Sequence, residues 1–154
     1  MKFTTRLCLL AIGLGLAVQA YARDPNENAI KARQAQMQLR SFNAGPLFGM
    51  AKGQIGYDAA LANKLAGNLK LMLDLDNSRA WAAGTGNDAY PDKTSALPKI
   101  WTTYPEIADY GKKYKEAVIA LAAAAGNGVD ALKPAVGDLG KACKGCHDNF
   151  REKN

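Results

Sequence analysis

The stretch LKPAVGDLGKACKGCHDNF, residues 132–150, repeats apolar side chains at intervals of three and four residues. Its apolar stripe consists of Leu132, Val136, Leu139, Cys143, Cys146 and Phe150. This period predicts an amphipathic α-helix, because side chains three and four residues apart share one helix face. Proline is tolerated only in the first turn of a helix. We therefore expect Pro134 to follow closely on a helix start between Asp130 and Lys133.

Two segments nearer the N-terminus have the same period. The first runs from about Asn26 to Met50, and we expect Gly45-Pro46 to bend or end it. One stripe of this segment consists of Ile30, Met37, Ala44 and Leu47 or Phe48, and a second stripe of Ala32, Ala35, Leu39 and Phe42. The second segment starts at Asp58, a residue type that favours the helix N-cap. Its stripe is Leu61, Leu65, Leu69, Met72 and Leu75.

A further segment carries an apolar stripe from Ile100 to Ala125, and Thr103 with Glu106 predicts a capping box at its start. The GNG sequence at 126–128 should separate this segment from the one quoted first. Four helices with stripes of this kind predict an all-α protein, an antiparallel up-down four-helix bundle. An orthogonal arrangement of the same helices has the same periodicity and stays open at this point.

The residues from about 77 to 98, NSRAWAAGTGNDAYPDKTSALP, are rich in Gly, Pro, Asn and Asp, which argues against regular structure. A loop of this length in a small domain is usually functional or wraps around something. We expect Trp81 and Tyr90 to pack this loop against the helices.

The sequence CKGCH places Cys143, Cys146 and the chain's single histidine, His147, on one face of the predicted helix. A thioredoxin-type redox pair would need a βαβ context, and structural zinc needs four ligands where only three such donors are present. Two buried structural cysteines would not require the histidine. C-x-x-C-H is the attachment sequence of a c-type haem, with two thioether bonds and an imidazole ligand to the iron. We therefore predict one haem c attached through Cys143 and Cys146, with His147 as the proximal ligand.

The sixth coordination position of the iron cannot be a second histidine of this chain. The candidates are Met37, Met50, Met72, a lysine, or no protein ligand. Met37 is the strongest of these because Arg33 lies one turn before it, where a guanidinium could pair with a haem propionate. Arg151, four residues after His147, would hold a positive charge near the proximal imidazole. Its alternative role is that of a solvated arginine that favours the helix dipole.

Residues 1–22 have the pattern of a cleaved secretory signal: Lys2 and Arg6, an apolar run, and the small residues around Tyr21. We expect a mature chain of residues 23–154, one domain, exported to the periplasm. The formal net charge of the full chain is +6, but its bases are scattered without interleaved aromatics. This argues against nucleic-acid binding and leaves open a docking patch for an acidic partner protein.

Four segments with C-x-x-C-H in the last one resemble the cytochrome c′ family. The similarity is carried by ARQAQM at 32–37, YDAA at 57–60, WAAGTGNDA at 81–89, PKIW at 98–101 and GKACKGCHDNFR at 140–151. The resemblance implies that Arg33 and Gln34 lie at the haem edge and Met37 at the distal position. It also implies that Asp88 contacts haem and that Arg151 is the family's basic residue after the proximal histidine.

Two behaviours follow from the family resemblance. In cytochromes c′ proper the iron is five-coordinate and binds small neutral gases such as nitric oxide or carbon monoxide. In low-spin relatives a methionine at the position of Met37 ligates the iron, and the protein is an electron carrier with a redox partner. The Arg33-Gln34 pair favours the five-coordinate form. In that form an apolar distal face would admit neutral diatomics and exclude anions, because an anion would lose its hydration there.

Other functions are less favoured by the sequence. A haem peroxidase would need a distal general base or a charged polariser, and the stripe Ile30–Met37–Ala44 offers neither. A binding module without haem would leave CKGCH unexplained. The second stripe of the first segment, which includes Leu39 and Phe42, predicts a homodimer, because a bundle helix normally needs only one apolar face. The alternative is that these residues widen the stripe that faces the core.

Overall fold

The computed structural model describes residues 24–153, and the predicted signal segment 1–22 lies outside them. Four α-helices follow one another: α1 (Pro25–Ala51), α2 (Ala59–Leu71), α3 (Glu106–Ala124) and α4 (Val129–Phe150). α1 contacts α2 and α4, and α3 contacts α2 and α4, so the four helices close into a ring. The chain forms the predicted antiparallel four-helix bundle. Within 24–153, no helix combines the length and apolar character that crossing a bilayer requires.

The helices begin and end close to the predicted positions. The two differences concern the start of α3 and the effect of Pro46 in α1. Asp58 caps α2 as predicted, because its carboxylate accepts a hydrogen bond from the Leu61 N–H at 3.0 Å. The predicted capping box of Thr103 and Glu106 does not form. The Thr103 hydroxyl donates to the Lys99 carbonyl oxygen, and α3 begins only at Glu106. Residues 98–105 instead form a short 3₁₀ turn and further turns, which leave the Tyr104 side chain 80% exposed.

Pro46 does not end α1, which continues to Ala51. A proline removes the hydrogen bond to the carbonyl four residues earlier, here that of Phe42. Phe42 lies on the exposed side of the helix, where water can satisfy that carbonyl. The residues after Pro46 include Leu47 and Met50, at most 1% exposed, and their packing holds the last turn of α1 in place.

The antiparallel order divides the bundle into two halves. At one end, the second half of α1, most of α2, the second half of α3 and the first half of α4 form a closed apolar core. Its largest fully buried side chains are Leu47, Met50, Leu69, Val118, Leu121, Leu132 and Leu139. At the other end, the apolar stripes of α1, α3 and α4 continue around a cavity instead of meeting one another. Two residues of the predicted α2 stripe, Leu61 at its start and Leu75 at its end, are exposed to solvent.

The Tyr57 side chain links the end of α3 to the start of α4 at the closed end of the bundle. Its hydroxyl donates to the Ala125 carbonyl oxygen at the end of α3 and accepts from the Gly128 N–H before α4, both at 2.9 Å. Helix ends leave such backbone groups without partners inside the helix. Gly128 itself has a φ of 98°, a conformation that favours glycine. One phenol therefore stabilises the α3–α4 turn.

The connection between α2 and α3 packs against α1, as we expected from its aromatic residues Trp81 and Tyr90. The Tyr90 hydroxyl donates to the Asp24 carboxylate at 2.8 Å, beside the start of α1. The Trp101 indole N–H donates to the carbonyl oxygen of Trp81 at 2.8 Å. These contacts fold the connection over the open half of the bundle, where it forms part of the cavity wall.

Candidate functional site

The open half of the bundle contains a cavity of about 730 Å³. All four helices contribute to its wall, together with Trp81, Ile100 and Trp101 from the connection between α2 and α3. Most of the lining side chains are apolar or aromatic. Pockets for small ligands and cofactors commonly measure roughly 300–1,000 Å³ and have walls of this kind. The cavity is therefore large enough and apolar enough for a prosthetic group.

Cys143, Cys146 and His147 all line this cavity. They lie on one face of α4, as their spacing predicted, because α4 is helical through all three positions. Both cysteines are free thiols, so a redox pair joined by a disulfide within CKGC is not supported. Within residues 24–153 no group of three or more His, Cys, Asp or Glu side chains is arranged to hold a metal ion. The structure brings the three predicted anchor residues together at one wall.

Burial sets the protonation of these three side chains. It raises the pKa of the Cys143 and Cys146 thiols, and the nearby charge of Arg40 opposes this rise. Burial also lowers the pKa of His147, and the positive charge of Arg151 lowers it further. His147 is therefore neutral at pH 7, the form in which an imidazole binds a metal. Arg151 is exposed, and its positive charge is the second cause of the lowered pKa of the imidazole after burial.

The methionines separate into two groups. Met37, on α1, and Met72, in the 3₁₀ turn after α2, both line the cavity. Met50 is 1% exposed and belongs to the closed core, which removes it as a ligand candidate. Met37 comes from a different helix than His147, so the two side chains approach the cavity from separate walls.

Arg33 is buried outside the lining of the cavity, and its predicted contact with a haem propionate stays a prediction. Its side chain is 4% exposed and is absent from the cavity wall. The guanidinium donates to the carbonyl oxygens of Ala80 and Thr85 and to the hydroxyls of Thr85 and Thr94, at 2.9 to 3.2 Å. It also lies 5.0 Å from the Trp81 ring centroid and 5.8 Å from that of Trp101. Arg33 thus holds the two indoles that form the wall.

Gln34 and Asp88 are not brought to the cavity either. The Gln34 amide donates to the Lys93 carbonyl oxygen at 2.7 Å on the outside of the molecule. Asp88 is exposed, and its carboxylate lies beside Gly86, where an added Cβ would come within 2.6 Å of Oδ1. These contacts organise the connection between α2 and α3, and the predicted haem contacts of both residues stay predictions.

Sequence reasoning missed Arg40. This residue lines the cavity, and its guanidinium lies 4.7 Å from the Tyr114 ring centroid. One of its terminal N–H groups contacts the Met37 sulfur at 3.8 Å. The signal was available, since Arg40 is three residues after Met37 and shares its helix face. A charged residue in an amphipathic pattern is usually assigned to the solvent side, and here that assumption fails.

These residues fit covalent haem. Two thiols and a neutral imidazole stand together on one wall of an apolar cavity, and the Met37 thioether reaches it from another. Covalent haem requires these donors at this spacing. Met37, Arg40 and Tyr114 line the same cavity.

Comparison with known proteins gives the same answer. A family model described as Cytochrome C' matches residues 28–151. A cytochrome c′ of Cereibacter sphaeroides is 38% identical over 148 residues, covering 96% of this chain and 98% of its own. A solved cytochrome c′ from Rhodobacter sphaeroides superposes with a TM-score of 0.82 at 40% identity, over 84% of this chain and 98% of that one. A solved cytochrome c′ variant from Alcaligenes xylosoxidans is a nitric oxide complex, with a TM-score of 0.72 and 32% identity over 83% and 97% of the two chains.

Proposed function

Because the chain belongs to the cytochrome c′ family, whose members carry one covalently attached haem c, we propose that Cys143 and Cys146 form the two thioether bonds and that His147 is the proximal ligand. The observation that carries this proposal is the position of all three side chains on one wall of a single cavity. The neutral form of His147 supports the role, because a protonated imidazole cannot bind iron. The haem supplies reversible one-electron chemistry and an iron that binds small gases.

The protein's own residues hold and shield this group. Leu69 and Leu139 belong both to the closed core and to the cavity wall. The packing of this core fixes the helices that carry the anchor residues. Trp81 and Trp101 close one side and keep bulk water from the cavity, and Arg33 holds them in place. Exclusion of water allows the surroundings of a haem to set its potential and ligand access.

We favour a five-coordinate iron that takes part in one-electron transfer and binds small neutral gases such as nitric oxide. The contact from Arg40 supports this choice, because a sulfur that accepts an N–H group, even weakly, is less available to a metal. The second candidate is a six-coordinate low-spin electron carrier with Met37 as axial ligand. The position of Met37 on the cavity wall supports that alternative.

A peroxidase is not favoured, although one premise of that argument needs correction. The sequence placed no charged polariser near the distal position, whereas Arg40 lines the cavity. A peroxidase also needs a general base. The residues that line the cavity include no carboxylate, and the only histidine of the chain is the proposed proximal ligand. We therefore propose a carrier or gas-binding role instead of an enzymatic one.

We further propose that residues 23–154 form the mature domain in the periplasm, after removal of 1–22. The charge pattern of the N-terminal segment supports export, and covalent haem attachment by C-x-x-C-H takes place outside the inner membrane. Electron transfer then requires a periplasmic redox partner. The exposed stripe of α1 supports a homodimer: Leu39 and Phe42 are 52% and 75% exposed, so they do not widen the core-facing stripe.

The attachment is tested with the double variant Cys143→Ser, Cys146→Ser. The exported wild type should keep its haem through acid–acetone extraction, and the double variant should be recovered mostly as apo-protein. Lys144→Ser, an exposed change inside the same motif, is the control and should keep covalent haem. Haem that resists extraction in the double variant would refute the anchor assignment.

A further inference from the structure

Arg40 places a positive charge at the cavity without a partner of opposite charge. Its Nε–H group is buried and donates no hydrogen bond, and the buried Tyr114 hydroxyl has no hydrogen-bond partner either. Among residues 24–153, no carboxylate forms an ion pair with this guanidinium. A buried polar group without a partner is destabilising, and a charged one more so. The two side chains are neighbours: the guanidinium carbon of Arg40 lies 4.7 Å from the centroid of the Tyr114 ring.

The position of Arg40 relative to the anchor residues follows from its neighbours. One of its terminal N–H groups contacts the Met37 sulfur at 3.8 Å. Arg40 lines the same cavity as Cys143 and Cys146, and its charge opposes the rise in pKa that burial causes in both thiols. Arg40 therefore lies on the Met37 side of the cavity.

The vinyl groups that react with cysteines and the propionates occupy opposite edges of a porphyrin. A haem bound through Cys143 and Cys146 would therefore turn its vinyl edge, and not its propionates, toward these cysteines. The described residues supply no carboxylate to Arg40, and a small anion that enters the cavity could supply the counter-charge.

We propose that Arg40 and Tyr114 form a small-anion site beside the sixth coordination position, so that this cavity takes monovalent anions of azide or nitrite size as well as neutral gases. Both side chains line the cavity with polar atoms that have no other partner. A guanidinium N–H and a phenol O–H both donate to an anion, and hydrogen bonds to charged groups are the strong ones. The expectation that an apolar distal face excludes anions is thereby reversed. This inference rests on the proposed haem attachment.

Azide and carbon monoxide are the two probes. Azide is titrated into the ferric haem protein and carbon monoxide into the ferrous protein, with absorption spectroscopy as the readout. Arg40→Leu should weaken azide binding by about 10- to 100-fold, the loss of one charge-assisted hydrogen bond, and change carbon monoxide affinity by less than about threefold. Tyr114→Phe should weaken azide binding by about 2- to 10-fold.

Arg79→Leu is the matched control, since it removes an equal charge from an exposed arginine outside the cavity wall. It should leave azide affinity within about twofold of wild type, as expected for a screened surface charge. Arg40→Gln is measured as a second neutral variant in case Arg40→Leu takes up no haem. The series is repeated in a Met37→Ala background, which keeps the sixth position open even if Met37 ligates the iron.

The outcomes separate this inference from the proposed function. A haem protein that binds carbon monoxide but shows equal azide affinity with and without Arg40, in both backgrounds, overturns the anion site and leaves haem attachment intact. Failure of azide to bind the open site overturns it too. A protein with no covalent haem overturns the proposed function itself, which the spectrum reveals before any titration.

Discussion

Arg33 and Thr85 form a two-point contact: Nη1 of the arginine donates to the Thr85 hydroxyl at 3.0 Å, and Nη2 donates to the Thr85 carbonyl oxygen at 2.9 Å. Thr85 is fully buried and lies 52 residues further along the chain. A planar guanidinium can bridge such a pair, whereas the ammonium of lysine is a single point of charge. This contact ties the connection between α2 and α3 to α1, behind the wall of the haem cavity.

Replacement of Arg33 by leucine should lower the free energy of unfolding by about 3 kcal/mol, because it leaves buried carbonyl and hydroxyl groups without a donor. Arg33→Lys should recover only part of this loss. Chemical denaturation of the haem-loaded protein measures both. Arg79→Leu, an exposed arginine two residues before Trp81, should change stability by less than about 0.5 kcal/mol. Equal losses for Arg33→Leu and Arg79→Leu would contradict the role of the buried contact.

Tyr57→Phe should cost about 1–3 kcal/mol, since it removes the hydroxyl that satisfies the Ala125 carbonyl and the Gly128 N–H. Urea denaturation checks this value. Tyr104→Phe removes an equal hydroxyl from a side chain that is 80% exposed, and we expect almost no change there. A Tyr57→Phe protein as stable as wild type would show that water replaces the phenol at this turn.

Met37→Ala distinguishes the two forms of the iron site. If the iron is five-coordinate, as proposed, the ferric spectrum should stay high spin and carbon monoxide should bind faster, because steric resistance is relieved. The measurements are the ferric absorption spectrum and flow kinetics of gas binding. A methionine-to-iron charge-transfer band that disappears in Met37→Ala would make the protein a six-coordinate electron carrier.

Met72→Ala is the matched control for that experiment, because Met72 also lines the cavity. It should alter neither the spin state nor any charge-transfer band. Loss of the band in Met72→Ala instead of Met37→Ala would assign the axial position to Met72.

Phe42→Glu should convert the predicted homodimer to a monomer or weaken it at least tenfold, since a charge would be buried in an apolar contact. Light scattering across a concentration series gives the mass. Leu71→Glu places the same charge on α2, at a side chain that is 68% exposed, and should leave the dimer intact. A wild-type protein that stays monomeric at high concentration removes the dimer altogether.

The sequence alone determined the four helices and the helix face that Cys143, Cys146 and His147 share. Helix periodicity reports which side chains share a face, and for α3 and α4 the predicted stripes are the ones that form the core and the cavity wall. C-x-x-C-H is a local motif, so its chemistry does not depend on how distant segments pack. The N-cap at Asp58 was predictable for the same reason.

The tertiary structure decided the roles of the two arginines of α1. Arg33 and Arg40 lie seven residues apart, two turns along one helix, and periodicity gives both nearly the same direction. The connection between α2 and α3 folds over the first of them and supplies four hydrogen-bond acceptors. It leaves the second at the open cavity. Long-range packing of an irregular segment has no periodic signature, and for this reason the sequence did not show that Arg40 lines the cavity while Arg33 is held behind its wall.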